Sequence, residues 1–272
     1  MRKRVVVLVP TVVLVGLMIT TSAVPAQADD WKKDYAVAGT PELRIETNDA
    51  QIRVSSADTS TIQVHVTTEN LQIAPNKVRI TDRQEGNRVE VEVHLPSNMH
   101  FINIRPSNRR VLIEVTVPRQ ANLNLHTGDG RVRVDGVKGD LRVATGDGRI
   151  EGEGLDGALD ASSGDGRIEV RGRFDRLRLH SGDGRIEAEA LAGSKMAGGW
   201  SVTSGDGSVR LILPDNFAAD LDAHTGDGHI TMNVPVTISG SLNRSTVRGK
   251  MNGGGEYLEI RTGDGNITVG KM

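Results

Sequence analysis

Apolar and polar residues alternate along most of the chain from Leu43 onward, with a period of two. The segments "LRIETNDAQIRV", "TIQVHVTTE", "KVRITDRQEGNRVEVEVHLP" and "RVLIEVTVP" place Val, Ile or Leu at nearly every second position. This is the pattern of half-buried β-strands, whose successive side chains point to opposite faces. Glu85-Gly86-Asn87 reads as a hairpin turn. No segment beyond residue 28 carries the period of an amphipathic helix, and residues 29–41 read as a polar lead-in.

From His126 the alternation is punctuated by a signature. Thr/Ser-Gly-Asp-Gly occurs seven times, starting at Thr127, Thr145, Ser163, Ser181, Ser204, Thr225 and Thr262. The first three intervals are 18 residues, followed by 23, 21 and 37, the last being about two periods. Thr47-Asn48-Asp49-Ala50 reads as a degenerate earlier copy. Alternating residues flank each signature, and a second turn follows, as in "DGVKGD" and "GEGLDG". One unit is therefore strand, Gly-Asp-Gly corner, strand, second corner. Glycine permits the positive φ angles of a tight turn, and aspartate tolerates the left-handed region and can bond nearby N–H groups.

Asp-Gly between alternating strands also fits a row of antiparallel hairpins. Two features favour the stacked coils of a β-solenoid. Val137 and Leu155 sit inside the second corner, where a solenoid needs an apolar plug; Arg173 breaks this column and Phe174 takes the role. Like residues also recur at the period: Leu141, Leu159 and Leu177; Ile150, Ile168 and Ile186. Stacking places them one on another at ~4.8 Å. A single coil leaves both ladder edges and its core open, so such a unit must repeat. The expected fold is an all-β solenoid of coils about 18 residues long, with irregular coils over 42–125 and regular Gly-Asp-Gly coils over 126–272. The interval between Thr225 and Thr262 reads as a degenerate coil with an exposed loop.

Composition agrees with a narrow aliphatic core, since aromatic residues make up only 3% of the chain and glycine is abundant. The first 28 residues are read as a cleaved secretory signal peptide: Arg2, Lys3 and Arg4, an apolar run to Ile19, then Ala26-Gln27-Ala28 before Asp29. Cleavage is expected between Ala28 and Asp29. The apolar run contains Pro10 and is short for a membrane span. The remainder carries 30 basic and 35 acidic residues, which gives no electrostatic footprint for nucleic acid. The absence of cysteine excludes a disulfide framework, a thiol nucleophile and a cysteine-linked lipid anchor. An exported protein results, periplasmic, at the cell surface or extracellular, with no transmembrane segment in its mature form.

"VTVPRQANLNLHTGDGRVRVDGV", the repeated "SGDGRIE" and the closing "GGGEYLEIRTGDGNITV" together resemble the bacterial putative-adhesin domain family, a domain of unknown function. The resemblance covers about residues 42–270. It implies a β-solenoid-like fold in exported or envelope proteins.

The corner column Asp129, Asp147, Asp165, Asp183, Asp206, Asp227 and Asp264 is one candidate binding surface. Calcium wants 6–8 oxygens, whereas this column offers one carboxylate per coil, with Arg131, Arg149, Arg167 and Arg185 nearby. The competing reading is that each aspartate caps its own turn while the arginines relieve repulsion within the column. The loop from Lys195 to Trp200, the largest departure from the rhythm before residue 225, is the other candidate. His126, His180, His224 and His229 lack a third fixed ligand for zinc. Carboxylates are too numerous to single out a glycosidase pair. The residues favour a non-enzymatic binding or scaffolding protein without cofactor or metal, whose partner is an envelope or surface protein or glycan. A polysaccharide-processing β-helix enzyme is the alternative.

Overall fold

In the regular region a coil is built from one strand before the Gly-Asp-Gly corner and one after it. The computed structural model describes residues 28–96 and 110–272, and every regular element among them is a strand. The signal peptide expected over residues 1–28 falls, except for Ala28, outside the described part. Strand Lys138–Thr145 stacks in parallel on Asn122–Thr127, and the next coil follows in register, Leu141 facing Leu123 on one side and Leu159 on the other. Beyond the corner, Ile150, Ile168 and Ile186 are successive register partners. The protein is a β-solenoid with two strand-bearing faces. The leading face holds the strands that enter each corner and the trailing face those that leave it.

The alternation explains the packing. Inward positions on both faces are filled mainly by Leu, Ile and Val, with Ala at positions such as Ala161 and Ala188, all buried, while the residues between them face outward. Val137, Leu155 and Phe174 are buried at the second corner. Where the chain steps between coils there, Gly136 and Gly154 adopt φ of 72° and 64°, the left-handed region that glycine enters without a Cβ penalty. The signature glycines are different. None of them has a φ in that region, nor does any signature aspartate, so the corner does not need glycine for its dihedrals. A Cβ on Gly148 would collide with the Gly130 carbonyl oxygen of the coil beneath, and one on Gly166 with that of Gly148. Glycine is required there for closeness of stacking.

Chain order and stacking order part company at both ends. The coil over 42–57 lies between Asn122–Thr127/Val132–Asp135 on one side and Arg88–His94/Arg110–Pro118 on the other. The coil over 257–271 is inserted between Trp200–Ser204/Val209–Leu213 and Ala219–Thr225/Ile230–Met232. The interval between Thr225 and Thr262 is not a degenerate coil: Thr246–Met251 runs antiparallel to Ala219–Thr225, and Thr237–Leu242 runs antiparallel to Thr246–Met251. An antiparallel pair cannot pass the solenoid ladder on, and so it closes the leading face. The polar lead-in is a strand as well. Ala28–Ala36 pairs antiparallel with Thr61–Glu69 along its whole length, and Tyr35 is buried beneath this second cap. The Glu85-Gly86-Asn87 hairpin joins Arg79–Glu85 to Arg88–His94.

Candidate functional site

The corner column is held by hydroxyls. Ser163 Oγ donates to the Gly148 carbonyl of the coil beneath (3.0 Å) and accepts the N–H of its own Gly166 (2.9 Å). Ser181 repeats this with Gly166 and Gly184, and Ser204 with Gly184 and Gly207. Thr262 donates to Gly207, and Thr225 to Gly265. The ladder begins at the degenerate copy, where Thr127 Oγ1 donates to the Ala50 carbonyl (3.0 Å). All of these hydroxyls are buried, and Ser163, Ser181, Ser204, Thr225 and Thr262 each satisfy both a carbonyl of the neighbouring coil and an N–H of their own corner, the corner's analogue of a turn cap.

The aspartates beside them are exposed, and among the described residues their carboxylates make no hydrogen bond or ion pair with the protein. They do not cap the turns; the hydroxyls do. Nor do the arginines serve them. Arg131, Arg149, Arg167 and Arg185 turn toward the glutamates of the trailing strands: Arg149 lies 3.4 Å from Glu151, Arg167 2.9 Å from Glu187, and Arg185 3.6 Å from Glu187. At Asp49, the first carboxylate of the column, burial and then the charge of Asp129 push the carboxyl above its usual range.

The trailing face curves into a trough. Three adjoining depressions share walls at Arg53 and at Arg133, Asp135 and Glu151, and together run from the Ala28–Ala36 strand to Val209–Leu213. At ~4.8 Å per strand the trough is roughly 40 Å long. The depression around Arg171 has a volume of about 410 Å3, and Gly152, Val170 and Ala188 line it beside the charged residues. Ion pairs cross-link its walls. Arg171 bridges Glu153 (3.0 Å) and Glu189 (3.1 Å), one coil to either side, and Arg133 reaches Asp135 and Glu151. Hydrogen bonds from Arg171 to Glu153 and Glu189 hold its guanidinium above its ordinary pKa. Arg210 alone among the trough arginines has no ion pair among the described residues. Half-exposed pairs of this kind contribute only about 0–1 kcal/mol each. They order a surface; they do not hold the fold.

Residues 40–270 match the family model described as Toastrack DUF4097, which covers nearly the whole described chain. The chain belongs to the Toastrack family. Among solved structures, this Toastrack chain is similar to a "putative cell adhesion protein" from Clostridium sporogenes, at 14% identity and a TM-score of 0.43, over 90% of this chain and 100% of that one. It is also similar to a "putative adhesin" from Bacteroides fragilis, at 12% identity and a TM-score of 0.41, over 90% and 97%. A "putative lipid binding protein" from Parabacteroides distasonis gives 14% identity and a TM-score of 0.43, over 89% and 96%. No curated protein matches the sequence.

The other expected site residues of the Toastrack chain scatter. Lys195 is exposed on its loop, but Trp200 is only 1% exposed and cannot be a surface platform. Its ring lies in the core, edge-on to Phe174 (centroids 6.4 Å apart) and tilted against Phe217 (4.9 Å). His180 and His224 face outward on separate coils, bonded to Thr203 and Thr246. Among the described residues no group of three or more His, Asp or Glu is placed to hold a metal ion, and no helix is long and apolar enough to cross a membrane. Sequence reasoning passed over the trough. Its signal was present in the Arg-Ile-Glu that follows three signatures, at Arg149, Arg167 and Arg185, where arginine and glutamate share the outward side of one strand.

Proposed function

We propose that this Toastrack protein is an exported, non-enzymatic β-solenoid that serves as an adhesin-like binding or scaffolding protein of the bacterial cell envelope, with the trailing-face trough as its binding surface. The observation that carries this reading is the trough itself: an extended, ion-paired groove whose chemistry repeats from coil to coil, so that no acid, base or nucleophile is singled out. A surface of this kind suits a long polar partner, an envelope glycan or an extended protein segment, engaged through many weak contacts. Charge matching sets its specificity and makes it salt-sensitive. The basic head, apolar run and Ala-Gln-Ala of the first residues support export.

Binding of the purified chain to isolated cell-wall material tests the reading. Glu151→Lys together with Glu187→Lys should weaken retention by about tenfold or more, and added salt should weaken the parent similarly. Unchanged retention by the charge-reversed chain would remove the trough from consideration. Release of soluble sugar from the same material by the parent chain would restore the enzyme reading.

A further inference from the structure

The coil over 257–271 occupies an interior slot that its place in the chain does not give it. On the leading face Val202 and Ala223 both face Ile260; on the trailing face Leu211 and Met232 both face Val269. Its corner hydroxyl is served in the same manner as every other, Thr262 donating to Gly207 below and Thr225 donating to Gly265 above. Nothing in the slot distinguishes the chain's own coil from an identical coil of another molecule.

The connection into this coil is a glycine hinge. Asn252, Gly253 and Gly254 take φ of 46°, 91° and 87°, and Gly255 follows. A Cβ on Gly253 would meet only open space, while Asn252 before it is anchored by its Nδ2 to the Asp215 and Phe217 carbonyls, so the turn is free at Gly253 and held up to it. The other out-of-order coil, 42–57, differs. The strands that enter and leave it, Ala28–Ala36 and Thr61–Glu69, pair with each other along their whole length and so fasten its two ends together.

We propose that the coil over 257–271 is exchangeable, and that two copies of this chain form a dimer by each inserting this coil into the other. Every ladder bond, hydroxyl contact and apolar pair is remade with the same residues in the exchanged form. Only the hinge dihedrals and the entropy of association separate the two states, which makes exchange a low-cost route to a dimer. The exchanged form grows with concentration and forms when the insert is loosened.

Cysteine pairing reads this out directly, because the chain has no cysteine of its own. Ser201 and Glu259 are register partners across the slot. Full-length Ser201→Cys and Glu259→Cys chains are mixed at high concentration in urea just below the unfolding midpoint, returned to buffer and oxidised. Exchange should give a covalent heterodimer about tenfold more abundant than in chains mixed without the urea step. The double variant, oxidised within one chain beforehand, should give none. Thr203→Cys with Arg261→Cys repeats the readout at the next paired position. Absence of the heterodimer from both pairs overturns the proposal. So does equal cross-linking when Arg142→Cys, on a distant coil, replaces Ser201→Cys.

Discussion

At Ser163 one hydroxyl closes its own corner and ties it to the coil below, and both groups it serves are buried. Ser163→Ala leaves a carbonyl and an N–H unpaired and should cost roughly 2–4 kcal/mol in urea unfolding. Ser163→Thr, the residue found at Thr145, should be nearly neutral. Gly148→Ala should prevent folding, since the added carbon collides with the Gly130 carbonyl. Asp147→Asn, between these intolerant positions, should change stability by less than about 1 kcal/mol, because the carboxylate makes no hydrogen bond or ion pair among the described residues. Two other carboxylates should give opposite pH responses. Asp49 has a raised pKa, so the folded state holds its proton more tightly than the unfolded chain. Its ionised form therefore detracts from stability at neutral pH, and the deficit disappears as pH falls through its folded value and below the unfolded one. At Asp222, burial acts to raise the pKa, but the Tyr257 hydroxyl with Arg248 and Arg261 outweighs it, and the net shift is downward. Its contribution is present above the unfolded pKa and is lost as pH falls through the folded one. Asp49→Asn should thus raise the urea midpoint at about pH 7 and have no effect near pH 3, whereas Asp222→Asn should lower it at about pH 7 and less in acid. The signature was legible in the sequence; its division of labour was not. Gly and Asp together spell a turn, and only the coil beneath shows that glycine is there for clearance and serine for bonding.

Strands were the most legible elements, because period two survives any tertiary arrangement. Ile168 is buried in the ladder, while Arg167, one residue away, faces water and two glutamates. Ile168→Asp should abolish cooperative unfolding, since it buries an unpaired charge, whereas Arg167→Ala should shift stability by less than about 1 kcal/mol. Trp200→Ala should cost about 3–5 kcal/mol by opening a cavity between Phe174 and Phe217. Retained stability in that variant would return Trp200 to the surface. The loop before Trp200 looked like a binding loop because its length breaks the rhythm; it is the cover over a corner filled with rings instead of valine. The cap strands escaped notice for a related reason. Ala28–Ala36 carries charge at Asp30, Lys32, Lys33 and Asp34, as an edge strand must to avoid pairing with strangers, and such a strand reads as a lead-in.

For the whole molecule the repeat makes a sharp claim. Deleting one period, residues 146–163, joins Thr145 to Gly164-Asp165-Gly166 and keeps every column in phase. The shortened chain should give β-type circular dichroism and a cooperative melt at modestly lower temperature, because coil contributions are nearly additive between neighbours. Deleting residues 146–154 removes a corner and half a coil and should leave no cooperative melt. Folding of the second deletion and not the first would contradict stacked coils. The regular middle was readable because each copy stacks on the one before it. The ends were not, since a signature states only that its coil stacks on another signature, and all of them satisfy that rule equally.

That indifference bears on how the molecule responds to tension. Were the coils stacked in chain order, a pull on Met272 would peel a terminal coil held along one edge only. Here the first coil to feel the load, 257–271, is gripped along both edges by parallel strands, and the antiparallel cap lies beyond it. Two ladders must yield before the chain can lengthen. A shuffled order therefore gives a tether attached at that end a higher rupture force than the same coils would give in sequence.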